Sequence, residues 1–208
     1  MRAWLAGLAA AAVAFAGAAM WWRRNPSPCP YRLRFVVQAP HPLITRERLR
    51  ETLEARPGEM VLEVGPGTGY YTLDVAEQVG DEGRVEILDV QREMLDHTLR
   101  AANEAGLWNV HATQSDATGM PYEDGTFDAA YLVTVLGEVP DQSAAMRELA
   151  RVLRPGGRLV VGELMADFDY VGINSMRLRA AAAGLEFERR VGGRLGYFAR
   201  FAKPGAAV

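Results

Sequence analysis

Cysteine is almost absent: Cys29 is the single one in 208 residues. One thiol forbids an internal disulfide and excludes a Cys-rich metal site. The three histidines, His41, His97 and His111, are scattered without metal-ligand spacing, so no metal is expected. Lysine is nearly missing too. Lys203 is the only one, arginine supplies the rest of the 23 basic residues, and we read that as coding bias. Against 26 acidic residues they leave a net charge of −3, which gives no nucleic-acid footprint. No internal repeat is present, and no low-complexity tract beyond the N-terminal alanines. What remains is ordinary for a globular protein: 49% apolar and 24% charged residues, in a length that suits one domain plus extras.

The first extra is N-terminal. Ala3 to Trp22 carries no charge. A helix of roughly twenty residues reaches about 30 Å, the hydrocarbon thickness of a bilayer. Trp4, Trp21 and Trp22 stand at its two ends, where an aromatic belt would lie. We therefore expect a single-pass transmembrane helix within residues 1–24. A cleaved signal peptide competes, with Ala16-Gly17-Ala18 as its small-residue site. A buried helix is the third reading, weakened by the missing polar face. Residues 25–44 read as a linker, because Pro26, Pro28, Pro30, Pro40 and Pro42 remove donors and disfavour helix. Arg23, Arg24, Arg32 and Arg34 place the following domain, 45–208, on the cytoplasmic side of the membrane. Cys29, near that membrane, is a candidate for acylation and otherwise a small apolar residue.

The stretch that organises the domain is Val61-Leu62-Glu63-Val64-Gly65-Pro66-Gly67-Thr68-Gly69-Tyr70. An apolar run ends in an acid, then breaks into glycines at every second position. The pattern predicts a buried strand feeding a tight turn and a helix. Gly65 and Gly67 lack a Cβ, so backbone there can turn sharply and lie against a ligand. A helix starting near Gly69 offers its free N–H groups to the same ligand. Asp89 ends a second strand-like run, Val85 to Leu88, where α/β nucleotide folds grip ribose hydroxyls. The dinucleotide fingerprint is G-x-G-x-x-G. Here the third glycine comes one residue early, and Glu63 puts a negative charge before the loop. A pyrophosphate is repelled there; a cationic ligand is not.

Strands and helices alternate through the rest. Thr45 caps a helix from Arg46 to Ala55, ended by Pro57-Gly58. Helices follow at Tyr70–Gln78, Gln91–Ala105, Asp141–Leu153 and Ile173–Ala183. Further strands are expected at 110–114, 127–133 and 158–161, with Pro155-Gly156-Gly157 as punctuation before the last of these. Leu185–Val191 and Leu195–Ala202 form a closing strand pair. The order predicts an α/β, Rossmann-like doubly wound sheet, mostly parallel, with an antiparallel C-terminal edge strand.

Glu63-Val64-Gly65-Pro66-Gly67-Thr68-Gly69 resembles motif I of the class I S-adenosylmethionine-dependent methyltransferases. The likeness runs from about Thr45 to Lys203. Asp89-Val90-Gln91-Arg92-Glu93-Met94-Leu95 is similar to the family segment whose acid binds ribose. Ser115-Asp116-Ala117 is similar to the loop whose acid binds the adenine amino group. Leu153-Arg154-Pro155-Gly156-Gly157 precedes the fifth strand, as in the family. The branch most resembled contains the quinone-biosynthesis methyltransferases. Many members carry a histidine pair after the fourth strand; Gly137-Glu138 stands there instead, so the acceptor is not carried over.

The resemblance implies S-adenosyl-L-methionine as cofactor and a role for each candidate. Glu63 suits the methionyl amine, against a strand-end acid facing the next helix. Gly65, Gly67 and Gly69 allow backbone approach. Asp89 accepts from the ribose hydroxyls. Asp116 accepts from the adenine amino group, against an Asx-turn role, and Ala117 offers an N–H beside it. No catalytic base is evident. His41 before the domain, where such folds carry a lid, and Glu138 beyond the fourth strand are the candidates to meet substrate. Tyr31, Tyr70, Asp169 and Tyr170 are candidates for a pocket wall, with aromatic packing the alternative. A membrane-anchored enzyme transferring methyl groups to a small lipophilic acceptor is expected. The alternatives are a non-catalytic cofactor-binding membrane interaction protein and a nucleotide-dependent oxidoreductase, the latter opposed by the glycine spacing.

Overall fold

The computed structural model describes residue 17, residues 27–33 and residues 42–205. The membrane-helix and signal-peptide readings of Ala3 to Trp22 fall outside the described residues, Gly17 apart, as does His41. Among the described residues no helix is long and apolar enough to cross a membrane.

Strands β1 (Met60–Val64), β2 (Arg84–Asp89), β3 (Val110–Gln114), β4 (Phe127–Val133), β5 (Leu153–Leu164), β6 (Glu186–Gly192) and β7 (Gly196–Ala202) form one seven-stranded sheet. Its order is β3-β2-β1-β4-β5-β7-β6. The first five pair in parallel, and β7 runs antiparallel to both β5 and β6. Helices α1 (Arg46–Leu53), α2 (Thr72–Val79), α3 (Arg92–Glu104), α4 (Gln142–Val152) and α5 (Ile173–Ala182) cover the two faces. This is the doubly wound arrangement that alternating strand and helix patterns predict.

Side chains alternate across a strand, so each strand feeds two cores. Leu62, Val64, Ala130, Leu132, Leu159 and Val161 pack with Met146 and Leu149 of α4 and Met176 of α5. Val61, Val85, Ile87, Ala129, Tyr131 and Val160 pack with Leu49 of α1, Val75 of α2 and Leu95 of α3. Both predicted caps form: Thr45 accepts from the Arg48 N–H at 3.4 Å and Asp141 from the Ala144 N–H at 2.9 Å.

The closing antiparallel pair stands at the sheet edge as expected, with β7 inserted between β5 and β6 and β6 outermost. Burial explains this order. Tyr197, Phe198 and Phe201 on β7 are buried, whereas Glu186, Glu188, Arg189 and Arg190 on β6 are exposed, charges that guard a free edge. Pro155-Gly156-Gly157 does not precede β5 but lies within it. Phe127 pairs with Leu153 and Ala129 with Arg158, so the intervening residues bulge out of register. Gly156 N–H still donates to Lys203 O at 2.9 Å, which keeps the bulged stretch in the sheet. Finally, α1 stops at Leu53, with Glu54 left-handed at φ 52°. Arginines from the sheet hold that end. Arg158 donates to Leu53 O and Glu54 O, and Arg200 to Thr52 O.

Arg158 also forms a buried pair with Glu59, both guanidinium nitrogens reaching the carboxylate at 3.0 and 2.5 Å. Removing one partner leaves an uncompensated buried charge. Arg158→Met is expected to cost roughly 3–5 kcal/mol in urea unfolding. Combining it with Glu59→Gln should recover part of that loss. A single-variant loss under about 1 kcal/mol would show that the pair does not hold α1.

Candidate functional site

The carboxyl ends of β1, β2 and β4 meet where the strand order reverses about β1, the place where open α/β sheets bind ligands. A cavity of about 350 Å³ opens there. Gly65 and Gly67 form one wall, and both have positive φ, 70° and 58°. A Cβ on Gly65 would stand 2.4 Å from a Val135 methyl, so glycine is demanded by conformation and by space. Asp89, Ser115, Asp116, Ala117, Thr134, Val135, Glu138, Val139 and Pro140 also line the cavity.

Six of the sequence candidates therefore share one cavity: Gly65, Gly67, Asp89, Asp116, Ala117 and Glu138. Asp89 Oδ1 accepts from the Gln91 N–H at 2.8 Å, and burial raises its carboxyl above the usual range. Asp116 makes the Asx turn that was the alternative to its ligand role. Its Oδ1 accepts from both the N–H and the hydroxyl of Thr118, each at 2.7 Å. A carboxylate has further acceptor sites, so the turn holds Asp116 in place without exhausting it.

Glu63 and Gly69 lie outside the cavity wall. Strand alternation is the reason for Glu63: Leu62 and Val64 face the α4 side, so Glu63 faces the other. There it is 2% exposed and accepts from the Thr72 hydroxyl in the first turn of α2. The alternative reading of Glu63, an acid facing the next helix, is the geometry observed. Burial pushes its carboxyl up to about 7. The helix itself starts at Thr72, past Gly69, because residues 66–71 are spent on turns.

The proposed pocket aromatics pack elsewhere. Tyr70 stacks edge-on with Tyr71, under Arg46; Tyr170 lies against Tyr197. The Tyr31 hydroxyl meets His97 Nδ1 at 3.3 Å.

Three features of the site carry no motif. Pro28 and Cys29, within the segment read as a linker, lie on the cavity. Gln91 holds them: its amide donates to Cys29 O at 2.9 Å and accepts from the Tyr31 N–H at 3.1 Å. The proline content of residues 25–44 hid this strap, because proline reads as linker wherever it falls. Thr134 is the second, a β-branched residue at φ 54° on the cavity wall. Such strain is worth about 1–3 kcal/mol and gathers at working sites. Glu138 is the third. It sits on a 3₁₀ turn, Leu136–Glu138, and its Oε2 accepts from the Cys29 N–H at 3.2 Å. Burial pushes its carboxyl up to about 8, with Asp167, Asp169 and Asp89 adding to the effect. The turn packs tightly underneath: a Cβ on Gly137 would fall 1.8 Å from Asp169 O. That contact excludes a histidine at 137.

Residues 61–157 match a family model described as a methyltransferase domain. The chain carries a class I S-adenosylmethionine-dependent methyltransferase domain. It is 40% identical over 110 residues to a protein of Vibrio campbellii named ubiquinone/menaquinone biosynthesis C-methyltransferase UbiE. That likeness covers 52% of this chain and 42% of the relative, so the chain spans under half of the curated protein it matches. A crystal structure of a SAM-dependent methyltransferase from Aquifex aeolicus superposes with TM-score 0.77 at 23% identity, covering 85% of this chain and 100% of that one. The [4+2]-cyclase SpnF superposes with TM-score 0.69 at 22% identity, covering 77% and 80%. At such identities the structures share the fold.

S-adenosylmethionine is the cofactor of the domain, and the cavity suits it. Its volume lies within the range of small-ligand sites, about 300–1,000 Å³. Asp89 and Asp116 supply acceptors for a ribose and an amino group, and Gly65 and Gly67 let the backbone come close. Bound there, the cofactor supplies an electrophilic methyl group.

Asp89→Ala removes charge-assisted hydrogen bonds, each worth roughly 1.5–3 kcal/mol. It should weaken S-adenosylmethionine binding at least tenfold by calorimetry while leaving the apo melting temperature nearly unchanged. A large apo destabilisation with intact affinity would make Asp89 structural.

Stability should also depend on pH with a definite sign. Glu63, Glu138 and Glu163 have folded-state pKa values raised to about 7, 8 and 8. The folded protein therefore binds more protons than the unfolded chain between about pH 4.5 and 8, and stability falls as pH rises through that window. The apo melting temperature should be lower at about pH 8.5 than at about pH 5.5. Glu163→Gln should narrow the difference. A melting temperature that climbs across the window would overturn the assignment.

Proposed function

We propose that the domain transfers the methyl group of S-adenosylmethionine to a small lipophilic acceptor of the hydroxylated-ring type, held at a membrane. The observation that carries this reading is the apolar part of the cavity wall, to which Pro28, Val133, Val135, Val139 and Pro140 contribute. A polar acceptor would lose its hydration there with little in return; an apolar ring gains about 25 cal/mol for each Å² it buries. The name of the Vibrio relative, a quinone-biosynthesis C-methyltransferase, points the same way.

The N-terminal run supports the membrane part of the proposal. Ala3 to Trp22 has spanning length, and Arg23 and Arg24 follow it, so the domain would sit on the cytoplasmic side. An anchor raises the effective concentration of the domain toward anything dissolved in the bilayer. Residues 27–33 would then carry the chain from the membrane across the cavity mouth.

The test is turnover by the full chain reconstituted in lipid vesicles, with labelled methyl donor and a prenylated 1,4-dihydroxynaphthalene in the bilayer. Label should appear in the lipid extract as a ring-methylated product. Label that appears only on water-soluble acceptors would overturn the lipophilic reading. Full-length protein recovered from the soluble fraction with a processed N-terminus would overturn the anchor.

A further inference from the structure

We propose that the Glu138 carboxylate is a catalytic residue of this domain: it takes the hydroxyl proton of the acceptor as the methyl group is transferred. This rests on the acceptor reading above and deepens it. The argument begins with elimination. Asp89 and Asp116 are assigned to the cofactor. The other polar side chains lining the cavity are Cys29, Gln91, Ser115, Thr134 and Glu138. Gln91, Ser115 and Thr134 do not ionise in the working range. The Cys29 thiol is raised by burial, by Glu138 and by Asp167, so it is a poor base at neutral pH. Glu138 is the one carboxyl left among them.

Its position is built from several sides. Leu136 is fully buried and anchors the 3₁₀ turn, and Gly137 lets that turn close on the Asp169 carbonyl. Glu138 Oε2 is held by the Cys29 N–H, and among the described residues no salt bridge neutralises the carboxyl. The groups facing it are Cys29 from the strap, Asp89 from β2, and Asp167 and Asp169 from the loop after β5. Burial and the three aspartates raise its carboxyl, while the Cys29 N–H bond works the other way.

Base strength then selects the acceptor. A carboxyl with a pKa of about 8 is matched to phenolic and enolic hydroxyls. It is too weak for an aliphatic alcohol, and a neutral amine does not need it. In the proposed step the hydroxyl proton passes to Glu138. The electron pair left on the acceptor moves into the ring, and a ring carbon bonds the methyl carbon. The bond from that carbon to sulfur breaks, and its pair stays on sulfur. The displaced ring hydrogen leaves as a proton to solvent while Glu138 returns its own proton to the oxygen. The net release is one proton, and no oxidant or reductant is required.

The experiment uses the full chain in detergent with S-adenosylhomocysteine and 1-naphthol as a non-reacting probe. The absorbance of the naphtholate anion reports the titration of the bound hydroxyl without turnover. A Glu138 carboxylate that holds the hydroxyl proton should make bound naphthol ionise at a higher pH in wild type than in Glu138→Gln. S-adenosylhomocysteine affinity should stay within about twofold, since Glu138 is not among the groups assigned to the cofactor. On the prenylated dihydroxynaphthalene, Glu138→Gln should lower kcat on the order of 100-fold or more and abolish the acid limb of the pH profile. Glu138→Asp, which keeps the carboxyl, should restore part of both signals and serves if the glutamine variant fails to fold. A naphthol titration unchanged in Glu138→Gln, or in Glu138→Asp when only that variant folds, overturns the proposal. If ionisation depends on Glu138 yet no hydroxylated ring is methylated, the acceptor reading falls and the proton role stands. If the ring is methylated at full rate by Glu138→Gln, the acceptor reading stands and this one falls.

Discussion

The pairing of β1 with β2 on one side and β4 on the other is the constraint on which the molecule depends. Both pairings are parallel, so three carboxyl ends finish together, and the chain must leave β1 by a turn that rises above its neighbours. The residues after β1 have nowhere to go except over the gap between β2 and β4. Gly65 meets Val135 there and its N–H donates to Leu88 O at 2.8 Å. The cavity follows from strand order, and side chains only furnish it.

What furnishes it is unusual in charge. The cavity wall carries Glu138, with Asp167 and Asp169 close behind, and buried Glu163 beyond them. A sheet this apolar would ordinarily neutralise such groups with arginine. The arginines are used at the opposite end instead, where Arg158 and Arg200 tie α1 to the sheet. The molecule thus separates its two electrostatic tasks. Ion pairs hold the scaffold where strands begin, and carboxyls gather beside the cavity.

Much of the scaffold was legible because burial leaves a period in the sequence. β3 and β4 match the expected ranges to the residue, and α2 to α5 fall within a residue or two of theirs. The helix ends set by caps were readable, since Thr45 and Asp141 act through their own neighbours. The end of α1 was not, since distant Arg158 and Arg200 decide it. The same division runs through the site. Gly65, Gly67 and Asp89 belong to local patterns at strand ends and were found. Gln91 and Cys29 meet across a span of 62 residues, and no local pattern records such a contact. Glu63 shows the converse. Its motif was plain, but the motif does not say which face of the strand carries it.

The inserted strand has a consequence for how the protein is made. β7 follows β6 in the chain yet lies between β6 and β5. While a ribosome is still making β7, β5 has an open flank and β6 has no partner. Leu159 and Val161 are then shielded from water on fewer sides than in the finished fold. During that interval the nascent domain presents an unpaired, apolar strand edge, the feature that invites association between chains. The polar character of β6 makes sense in this light. A strand that must wait in solvent for its partner is safer with Glu186, Glu188, Arg189 and Arg190 than with valines. β7, made after β6, is then the strand that joins β6 to the rest of the sheet.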